Sequence, residues 1–381
     1  SQSSVLKRRQ ISLDKNFMES RLPTAVRMQF NTVLLCCGND KIYYVPVVPL
    51  ISGPWPDFQA MISEFDLIAK YFKRPAAKAD LGVGDDCALL RQTTGMQTAI
   101  STDMLVSGTH FFPDTDPEQL GHKSLAVNLS DLAAMGATPA ACTLAVAMPK
   151  ADEAWIAAFA KGLLALADRH QCELIGGDTT RGPLNICITV FGQIPAGQAL
   201  RRDGAKPGDD IWVSGTLGDA RLALAHMRQE LTLPDGQFQQ VLPRMQKPTP
   251  RVELGIALRN TAHAALDLSD GLLGDLAHIL DASHAGASLN TDDIPISGIL
   301  RQQPEKWRLQ CTLGGGDDYE LCFTAPPEKR EQVLEAGRQV HVPVTRIGRI
   351  EAQPGIRLFN AAGPLNRTGI RSFDHFATPQ K

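Results

Sequence analysis

The sequence predicts an α/β fold with α+β character, divided into two domains. The chain has 381 residues, enough to bury two separate hydrophobic cores. From residue 61 onward, apolar segments with strand-like and helix-like periodicity alternate. A polar stretch with two glycines and a proline, RRDGAKPGDD at 201–210, divides this pattern into two halves. We therefore expect an N-terminal domain at 61–205 and a C-terminal α/β domain at 206–381.

The N-terminal half is predicted to contain two helices and three strands. Thr115 or Asp116 caps the first helix, and Pro117 occupies its first position. Gly136 ends this helix, whose many apolar residues predict that it is well buried. The second helix is expected at Asp152–His170, and the strands at Thr98–Asp103, Ala141–Met148 and Leu184–Ile194.

The C-terminal half is predicted to alternate in the same way. Strands are expected at Ile211–Ser214, Leu321–Ala325 and Thr345–Ile350, and helices at Asp219–Gln229, Arg251–Arg259 and Gly271–Ser283. A loop-rich segment with one short helix is expected between Pro234 and Pro250.

Residues 1–60 differ from the rest of the chain. They hold seven Lys or Arg against four Asp or Glu, and their end is rich in proline. They show no clear helical or strand register, whereas Met61 opens a helix-like apolar pattern. We expect the fold to begin near Met61, with residues 1–60 as an extension that is not part of it.

Composition excludes several classes of protein. A net charge of −3 gives no basic excess for binding nucleic acid or a membrane surface. No run of about 18 apolar residues predicts a transmembrane helix, and no secretory signal is evident. The eight cysteines form no C-x-x-C pair, and their apolar surroundings favour reduced thiols in a cytoplasmic protein.

Six short motifs combine aspartate with glycine or serine. They are GVGDD (82–86), STD (101–103), NLSD (128–131), GGD (176–178), DLSDG (267–271) and GGGDD (314–318). Each alone is ordinary turn chemistry, but carboxylates gathered in one place repel each other unless cations neutralise them. Oxygen ligands without a His/Cys cluster favour Mg²⁺, and adjacent glycines let backbone N–H groups approach phosphates. The set indicates a nucleotide polyphosphate site.

The common nucleotide and hydrolase motifs are absent. GHKS at 121–124 has the ending of a P-loop but lacks its first glycine, and GVGDDC at 82–87 lacks the third glycine of a dinucleotide fingerprint. The sequence also lacks the protein-kinase motif set and the G-x-S-x-G nucleophile elbow.

Nine segments together resemble the thiamine-monophosphate kinase family, and they extend in order from Glu64 to Pro379. They are EFDLIAKYF, GVGDDCALL, AISTDMLVSGTHF, KSLAVNLSDLAAMGATP, LIGGDTTRGP, DGAKPGDDIWVSGTLGD, ALDLSDGLLGDL, GGGDDYELCFT and FDHFATP. The resemblance implies the fold shared with aminoimidazole ribonucleotide synthetase. In that fold the N-terminal sheet forms the interface of a homodimer, and a C-terminal α/β domain covers the active site.

The resemblance also implies the reaction. ATP would phosphorylate thiamine monophosphate directly and in line, with several Mg²⁺ ions, to give thiamine diphosphate in its biosynthesis. The 61–205 domain would then bind ATP and Mg²⁺ and dimerise. The partners would be these two small molecules, with no nucleic acid and no membrane.

Site residues follow from the resemblance, motif by motif. Metal ligands are implied at Asp86, Ser101, Thr102, Asp103, Asp131, Asp178, Asp267 and Asp270, with catalytic roles for Asp103, Asp131, Asp178 and Asp267. ATP contacts are implied at Gly177, Asp178, Arg202 and Ser269, and substrate contacts at His110, Asp317 and Phe373. Asp317 stands where the family usually has Glu, and Phe373 where it has Tyr or Trp.

Two alternative functions remain open at this point. One is another ATP-using synthetase of the same superfamily, for aminoimidazole ribonucleotide or selenophosphate. The latter would need a reactive cysteine, whereas the apolar residues Ala88, Leu89 and Leu90 after Cys87 predict a buried thiol there. The other is a nucleotide-binding regulator without activity, but clustered acids would then lower stability with no Mg²⁺ to offset them.

Overall fold

The structure is a computed structural model that describes residues 32–37, 41–46, 63–366, 369–370 and 372. The chain divides into two compact units, residues 1–60 and residues 61–381. In the first unit, strands β1 (Thr32–Cys37) and β2 (Lys41–Pro46) pair antiparallel. The sequence showed no clear strand register there, although KIYYVP is rich in residues that favour strands. That residues 1–60 lie outside the fold stays a prediction.

Residues 63–195 contain two long helices and a four-stranded sheet, preceded by short elements. In chain order the elements are α1 (Glu64–Leu67), a π-helical turn (Ile68–Phe72), β3 (Ala79–Leu81), β4 (Leu89–Leu90), β5 (Met96–Val106), α2 (Pro117–Ala134), β6 (Thr138–Met148), α3 (Glu153–Arg169), β7 (Glu173–Arg181) and β8 (Asn185–Pro195). Both predicted helices and all three predicted strands are present. Strand β7 was not predicted, because glycine and aspartate in its middle are rare in strands.

The four-stranded sheet has the order β5-β8-β6-β7. Strand β8 pairs antiparallel with β5 and β6, and β7 pairs parallel with β6. Alternate residues of β8, including Ile186, Ile188 and Val190, are buried in the core that α2 and α3 share. The opposite face is less covered and carries the exposed side chains of Ile100 and Met104 on β5.

Residues 202–365 contain a second, larger sheet with helices. In chain order the elements are a 3₁₀ turn (Arg202–Gly204), β9 (Asp210–Ser214), α4 (Asp219–Met227), α5 (Asp235–Gln246), α6 (Val252–Ala257), β10 (Ala264–Asp267), α7 (Leu272–Ala282), β11 (Gly286–Asn290), a 3₁₀ turn (Thr291–Asp293), α8 (Gly298–Arg301), α9 (Glu305–Gly314), β12 (Leu321–Ala325), a 3₁₀ turn (Pro327–Lys329), α10 (Arg330–Gln339), β13 (Val344–Glu351), β14 (Gly355–Asn360) and β15 (Gly363–Leu365). Most of the predicted elements are present, and β12 has the predicted bounds.

The seven-stranded sheet has the order β10-β12-β9-β13-β11-β14-β15. The sheet is mixed, because β11 and β14 pair parallel and every other pair of neighbouring strands in it is antiparallel. Trp212 of β9 and Phe323 of β12 stack together and join the same core cluster as α2 and the first sheet. The division at 205/206 therefore stays a prediction, since the two sheets share part of one core. In the described part of the chain, no helix is long and apolar enough to cross a bilayer.

Helix α2 lies at the centre of this core. Its cap is Asp116, one of the two predicted residues, which accepts a hydrogen bond of 2.9 Å from the Gln119 backbone N–H. Gly136 follows the helix with φ +66°, a conformation that favours glycine. Most of the helix is buried, including its polar residues Lys123 and Asn128, as its apolar composition predicted.

Helices α2 and α3 cross in close contact at a pair of glycines. A Cβ atom on Gly162 would lie 1.8 Å from the Glu118 carbonyl oxygen. A Cβ atom on Gly121 would lie 2.0 Å from the Phe159 carbonyl oxygen. Gly121, which begins the GHKS segment, therefore has a packing role in this helix crossing.

We predict that Gly162→Ala lowers the free energy of unfolding by about 1–3 kcal/mol, because the methyl group would push the two helices apart. Urea denaturation measures this change. Gly236→Ala in α5 is the matched control, since no atom lies within 4 Å of the added methyl group. The control should be neutral or stabilising by up to about 1 kcal/mol. Equal stability of Gly162→Ala and wild type would contradict the close crossing.

Candidate active site

A cavity of about 480 Å³ opens beside α2, and aspartates from several elements line it. Asp103 comes from β5, Asp131 from α2, and Asp267 from the end of β10. Asp270 and Asp317 come from the loops that follow β10 and precede β12. The motifs STD, NLSD, DLSDG and GGGDD, which are far apart in the sequence, thus contribute to one site.

Hydroxyl and amide groups hold these aspartates in place. Ser101 Oγ donates to Asp131 Oδ2 at 2.5 Å, and the Asp103 backbone N–H donates to Asn128 Oδ1 at 3.0 Å. Ser130 Oγ donates to Asp267 Oδ2 at 2.7 Å. Hydrogen bonds therefore connect the STD motif to the NLSD motif, and another connects NLSD to the DLSDG motif.

Burial and mutual repulsion disfavour the ionised form of these carboxyl groups. Burial, then the nearby Asp131 and Asp270 charges, raise the pKa of Asp103 to about 6. The pKa of Asp267 is raised to about 8 by its burial and by the Asp131 charge. Burial also raises the pKa of Asp131, although the Ser101 hydrogen bond and the Arg202 charge act in the opposite direction. The site has the electrostatics of a cation-binding pocket.

Asp275 supports the loop that carries Asp270. Its carboxylate accepts hydrogen bonds from the backbone N–H groups of Asp270, at 3.1 Å, and Gly271, at 3.0 Å. Burial raises the pKa of Asp275 to about 7. The DLSDG loop is thus shaped by a carboxyl group of the following helix, α7.

Asp317 lies on the cavity wall beside a lysine. Lys123 Nζ of α2 is 3.2 Å from Asp317 Oδ1, and the Tyr319 hydroxyl donates to the same oxygen at 3.2 Å. The Asp317 backbone N–H donates to the Ser269 carbonyl oxygen at 2.8 Å, which links the two loops. His110 also lines the cavity, and its Nδ1 accepts a hydrogen bond of 3.0 Å from the Val106 backbone N–H.

The structure brings together most, but not all, of the residues that the resemblance implied. Seven of them line the cavity: Asp103, His110, Asp131, Asp267, Ser269, Asp270 and Asp317. Ser101 binds Asp131 directly, and the Arg202 charge lowers the pKa of Asp131. Six implied residues that the structure describes do not line it: Ser101, Arg202, Asp86, Thr102, Gly177 and Asp178. Phe373 lies outside the described residues, so its role stays a prediction.

Four of these six residues, Asp86, Thr102, Gly177 and Asp178, are exposed and have no contact with the cavity acids among the hydrogen bonds described above. Thr102 faces away from Asp103, because successive residues of a strand point to opposite faces, and its hydroxyl is 2.8 Å from that of Thr189. Gly177 and Asp178 lie on β7, and Asp86 lies in the loop between β3 and β4. Their implied roles in binding metal or ATP stay predictions. The prediction that the residue after Asp86, Cys87, is buried was wrong, because its thiol lies in the same exposed loop.

Sequence reasoning missed three residues of the site. Lys123 belongs to GHKS, which was considered only as an incomplete P-loop, and Asp275 ends the segment DLSDGLLGD. Tyr319 follows GGGDD directly. Helical spacing could have identified Lys123, since it lies two turns before Asp131 and therefore close to the same face of α2.

Two acids of the GGGDDYE segment have structural roles instead. Both carboxylate oxygens of Asp318 accept from the Gly218 backbone N–H, at 3.0 and 2.9 Å. Glu320 is fully buried and accepts hydrogen bonds from Ser214, Arg244 and Arg251. These contacts fix the chain on either side of Tyr319.

Comparison with known proteins supports the likeness seen in the motifs. The models for the N-terminal and C-terminal domains of AIR synthase related proteins match residues 84–194 and 206–359. The thiamine-monophosphate kinase of Salmonella typhimurium is 47% identical over 322 residues, which cover 83% of this chain and 99% of that protein. This chain belongs to the thiamine-monophosphate kinase family.

Solved structures agree with this membership. The crystal structure of thiamine-monophosphate kinase from Stenotrophomonas maltophilia K279a is 48% identical, with a TM-score of 0.71 over 77% of this chain and 94% of that one. A structure of AaThiL complexed with AMPPCP and TMP is 27% identical, with a TM-score of 0.65 over 75% of this chain and 89% of that one. The predicted α/β fold of the thiamine-monophosphate kinase family is thereby confirmed.

The raised pKa values predict that the metal-free protein loses stability as pH rises from about 4 to about 8. In this range the native state keeps protons on Asp103 and Asp267 that the unfolded chain, with an aspartate pKa of about 3.9, has released. Each carboxyl group that is protonated only in the native state lowers the free energy of unfolding by up to about 1.4 kcal/mol for each unit by which the pH rises. Urea denaturation with EDTA, from pH 5 to pH 8, measures the trend.

Asp267→Asn removes the most strongly shifted of these groups, so its stability should fall less steeply with pH than that of wild type. Asp168→Asn on the exposed surface of α3 is the control and should keep the wild-type slope. Identical slopes for Asp267→Asn and wild type would show that Asp267 is ionised throughout.

Proposed function

We propose that this protein transfers the γ-phosphate of ATP to thiamine monophosphate, giving ADP and thiamine diphosphate, in thiamine diphosphate biosynthesis. The observation that carries the proposal is one cavity in which aspartates from β5, α2 and β10 meet. Family membership supports it, since relatives of 47% and 46% identity are thiamine-monophosphate kinases. The AaThiL structure, which holds AMPPCP and TMP, supports the same pair of small molecules.

We further propose that the carboxylates bind Mg²⁺. Asp103, Asp131 and Asp267 fit a divalent cation, because burial raises the pKa of each and a nearby cation would favour the ionised form. Among residues 63–366 no three acidic, histidine or cysteine side chains form a preformed metal site. This suits Mg²⁺, which usually takes one or two carboxylates and completes its shell with water and phosphate oxygens. When bound, the ions would neutralise phosphate charge and stabilise the charge of the transition state.

The residues of this chain provide charge and orientation for the transfer. Two unit charges about 4 Å apart repel by about 4 kcal/mol at an effective dielectric constant of about 20, so two phosphates need cationic partners. Arg202 is such a cation near the cavity, because its charge lowers the pKa of Asp131. A general base is not required, because the attacking phosphate oxygen is already ionised.

His110 is suited to donate to a phosphate oxygen. Its Nδ1 accepts a hydrogen bond from the Val106 N–H, so the neutral ring carries its proton on Nε2. That Nε2–H group is a donor of the kind that phosphate oxygens accept. This supports the substrate contact that the resemblance implied for His110.

We propose that the protein forms a homodimer through the outer face of the sheet β5-β8-β6-β7. Ile100 and Met104 are 62% and 54% exposed on this face, and Thr102 lies between them. Large apolar side chains exposed on one sheet face are typical of an interaction surface.

A cytoplasmic location is likewise a proposal, supported by the free thiols of the six described cysteines.

We predict that Asp103→Asn and Asp131→Asn each reduce kcat at least about 1,000-fold, because each removes a carboxylate that holds Mg²⁺ against the reacting phosphates. ADP release in the presence of ATP, Mg²⁺ and thiamine monophosphate measures kcat. Both variants should fold and be at least as stable as wild type, since they relieve repulsion. Asp168→Asn is the control and should keep full activity. Near wild-type turnover by either variant would show that its carboxylate does not act in the transfer.

We predict that Ile100→Glu shifts the protein from dimer to monomer, because it places charges in the centre of the proposed interface. Sedimentation velocity measures the oligomeric state. Phe359→Glu on β14 is a matched control, since it replaces another exposed apolar residue, outside this sheet. Monomeric wild-type protein, or an Ile100→Glu variant that remains dimeric, would rule out this interface.

A further inference from the structure

Lys123 is an unusual residue for the wall of a cavity. In the described part of the chain it is the only lysine or arginine that is almost fully buried, with 7% of its side chain exposed. Its neighbours on the cavity wall include the apolar residues Leu120 and Val127. Burying an ammonium group among apolar side chains is unfavourable unless a carboxylate compensates it. Its position therefore depends on the acid that it pairs with.

That acid is Asp317, which two side chains hold at one oxygen. Lys123 Nζ and the Tyr319 hydroxyl both lie 3.2 Å from Asp317 Oδ1. Asp317 and Tyr319 have φ values of +67° and +49°, which non-glycine residues adopt only where their surroundings enforce them. Backbone hydrogen bonds of 2.8 Å to the carbonyl oxygens of Ser269 and Leu268 provide this constraint.

Asp317 therefore differs from Asp131 and Asp267 in the groups that contact its carboxylate. The carboxylates of Asp131 and Asp267 accept hydrogen bonds from the uncharged hydroxyl groups of Ser101 and Ser130. Asp317 instead has the ammonium group of Lys123 beside it, which compensates the charge of its carboxylate. With 29% of its side chain exposed, it still presents a carboxylate to the cavity.

We propose that Lys123 is a positioning residue for the substrate. Together with Tyr319 it orients Asp317, for which the resemblance already implied a substrate contact, so that the carboxylate would meet the thiazolium or the aminopyrimidine of thiamine monophosphate and not a metal ion. One wall of the cavity then serves phosphates and Mg²⁺, and Asp317 serves the organic part of the substrate. This inference rests on the proposed function, since it assigns a group of the same site to that substrate.

Lys123→Met tests the inference, because it keeps the length of the side chain and removes its charge. The KM for thiamine monophosphate should rise about tenfold or more, with little change in kcat or in the KM for ATP. Calorimetric titration with thiamine monophosphate should show a matching loss of affinity. Lys123→Arg should recover part of the loss. Lys161→Met, which removes an exposed lysine paired with Glu118, is the matched control and should behave as wild type.

A double-mutant cycle tests whether Lys123 acts through Asp317. In the Asp317→Asn background, Lys123→Met should raise the KM for thiamine monophosphate by less than about twofold, because its partner is already gone. A full tenfold increase in that background would show that Lys123 contacts the substrate itself and would overturn the positioning role. A loss of kcat without a change in this KM would also overturn it.

If Lys123→Met fails to fold, Tyr319→Phe provides a second test, since it removes the hydroxyl group that donates a hydrogen bond to Asp317 Oδ1. It should raise the KM for thiamine monophosphate about threefold or more and leave kcat nearly unchanged. An unchanged KM would overturn the inference. Wild-type protein without any turnover of thiamine monophosphate would instead refute the proposed function.

Discussion

The burial of neighbouring carboxyl groups, together with their repulsion when ionised, is the constraint on which this structure depends. Asp103, Asp131 and Asp267 come from three separate elements, and the pKa of each is raised above that of a free aspartate. A fold that gathers these groups is less stable when they ionise, and a bound divalent cation reverses that effect. In the proposed function, the stability of the protein and its chemistry are therefore linked through the same three side chains.

The frame that resists this repulsion is built around α2. The helix carries both Asp131 and Lys123, and its glycine contact with α3 leaves no room for it to shift. Away from this helix crossing, the buried Glu320 and its two arginines hold the start of β12. Since the loop with Asp317 and Tyr319 immediately precedes this strand, its strained backbone lies next to a rigid anchor.

Much of the fold and the site could be predicted from local sequence. The cap at Asp116 and the glycine after α2 marked that helix, and the aspartate motifs identified most of the acids that meet in the cavity. Strand β7 was missed because its glycines and aspartate contradict strand propensity, and only pairing with β6 makes it a strand. The side on which Thr102 lies follows from strand alternation, which the motif resemblance did not consider.

Contacts between residues far apart in the chain could not be predicted from local sequence patterns. The pairing of Lys123 with Asp317 joins residues 194 positions apart, and no periodicity connects them. The same holds for Ser130 and Asp267. Asp318 looked like a further site acid, yet its carboxylate binds the backbone of Gly218. Tertiary contacts determine which acids line the cavity and which ones stabilise the fold.

The most direct test of the account is product identity. The full-length protein is incubated with ATP and Mg²⁺ and with either thiamine monophosphate or thiamine, and the thiamine compounds are separated and quantified. We predict thiamine diphosphate and an equal amount of ADP from the monophosphate, no phosphorylation of thiamine, and no product when EDTA exceeds Mg²⁺. Folded protein that makes no thiamine diphosphate from the monophosphate, or makes it equally well with EDTA, would contradict the account.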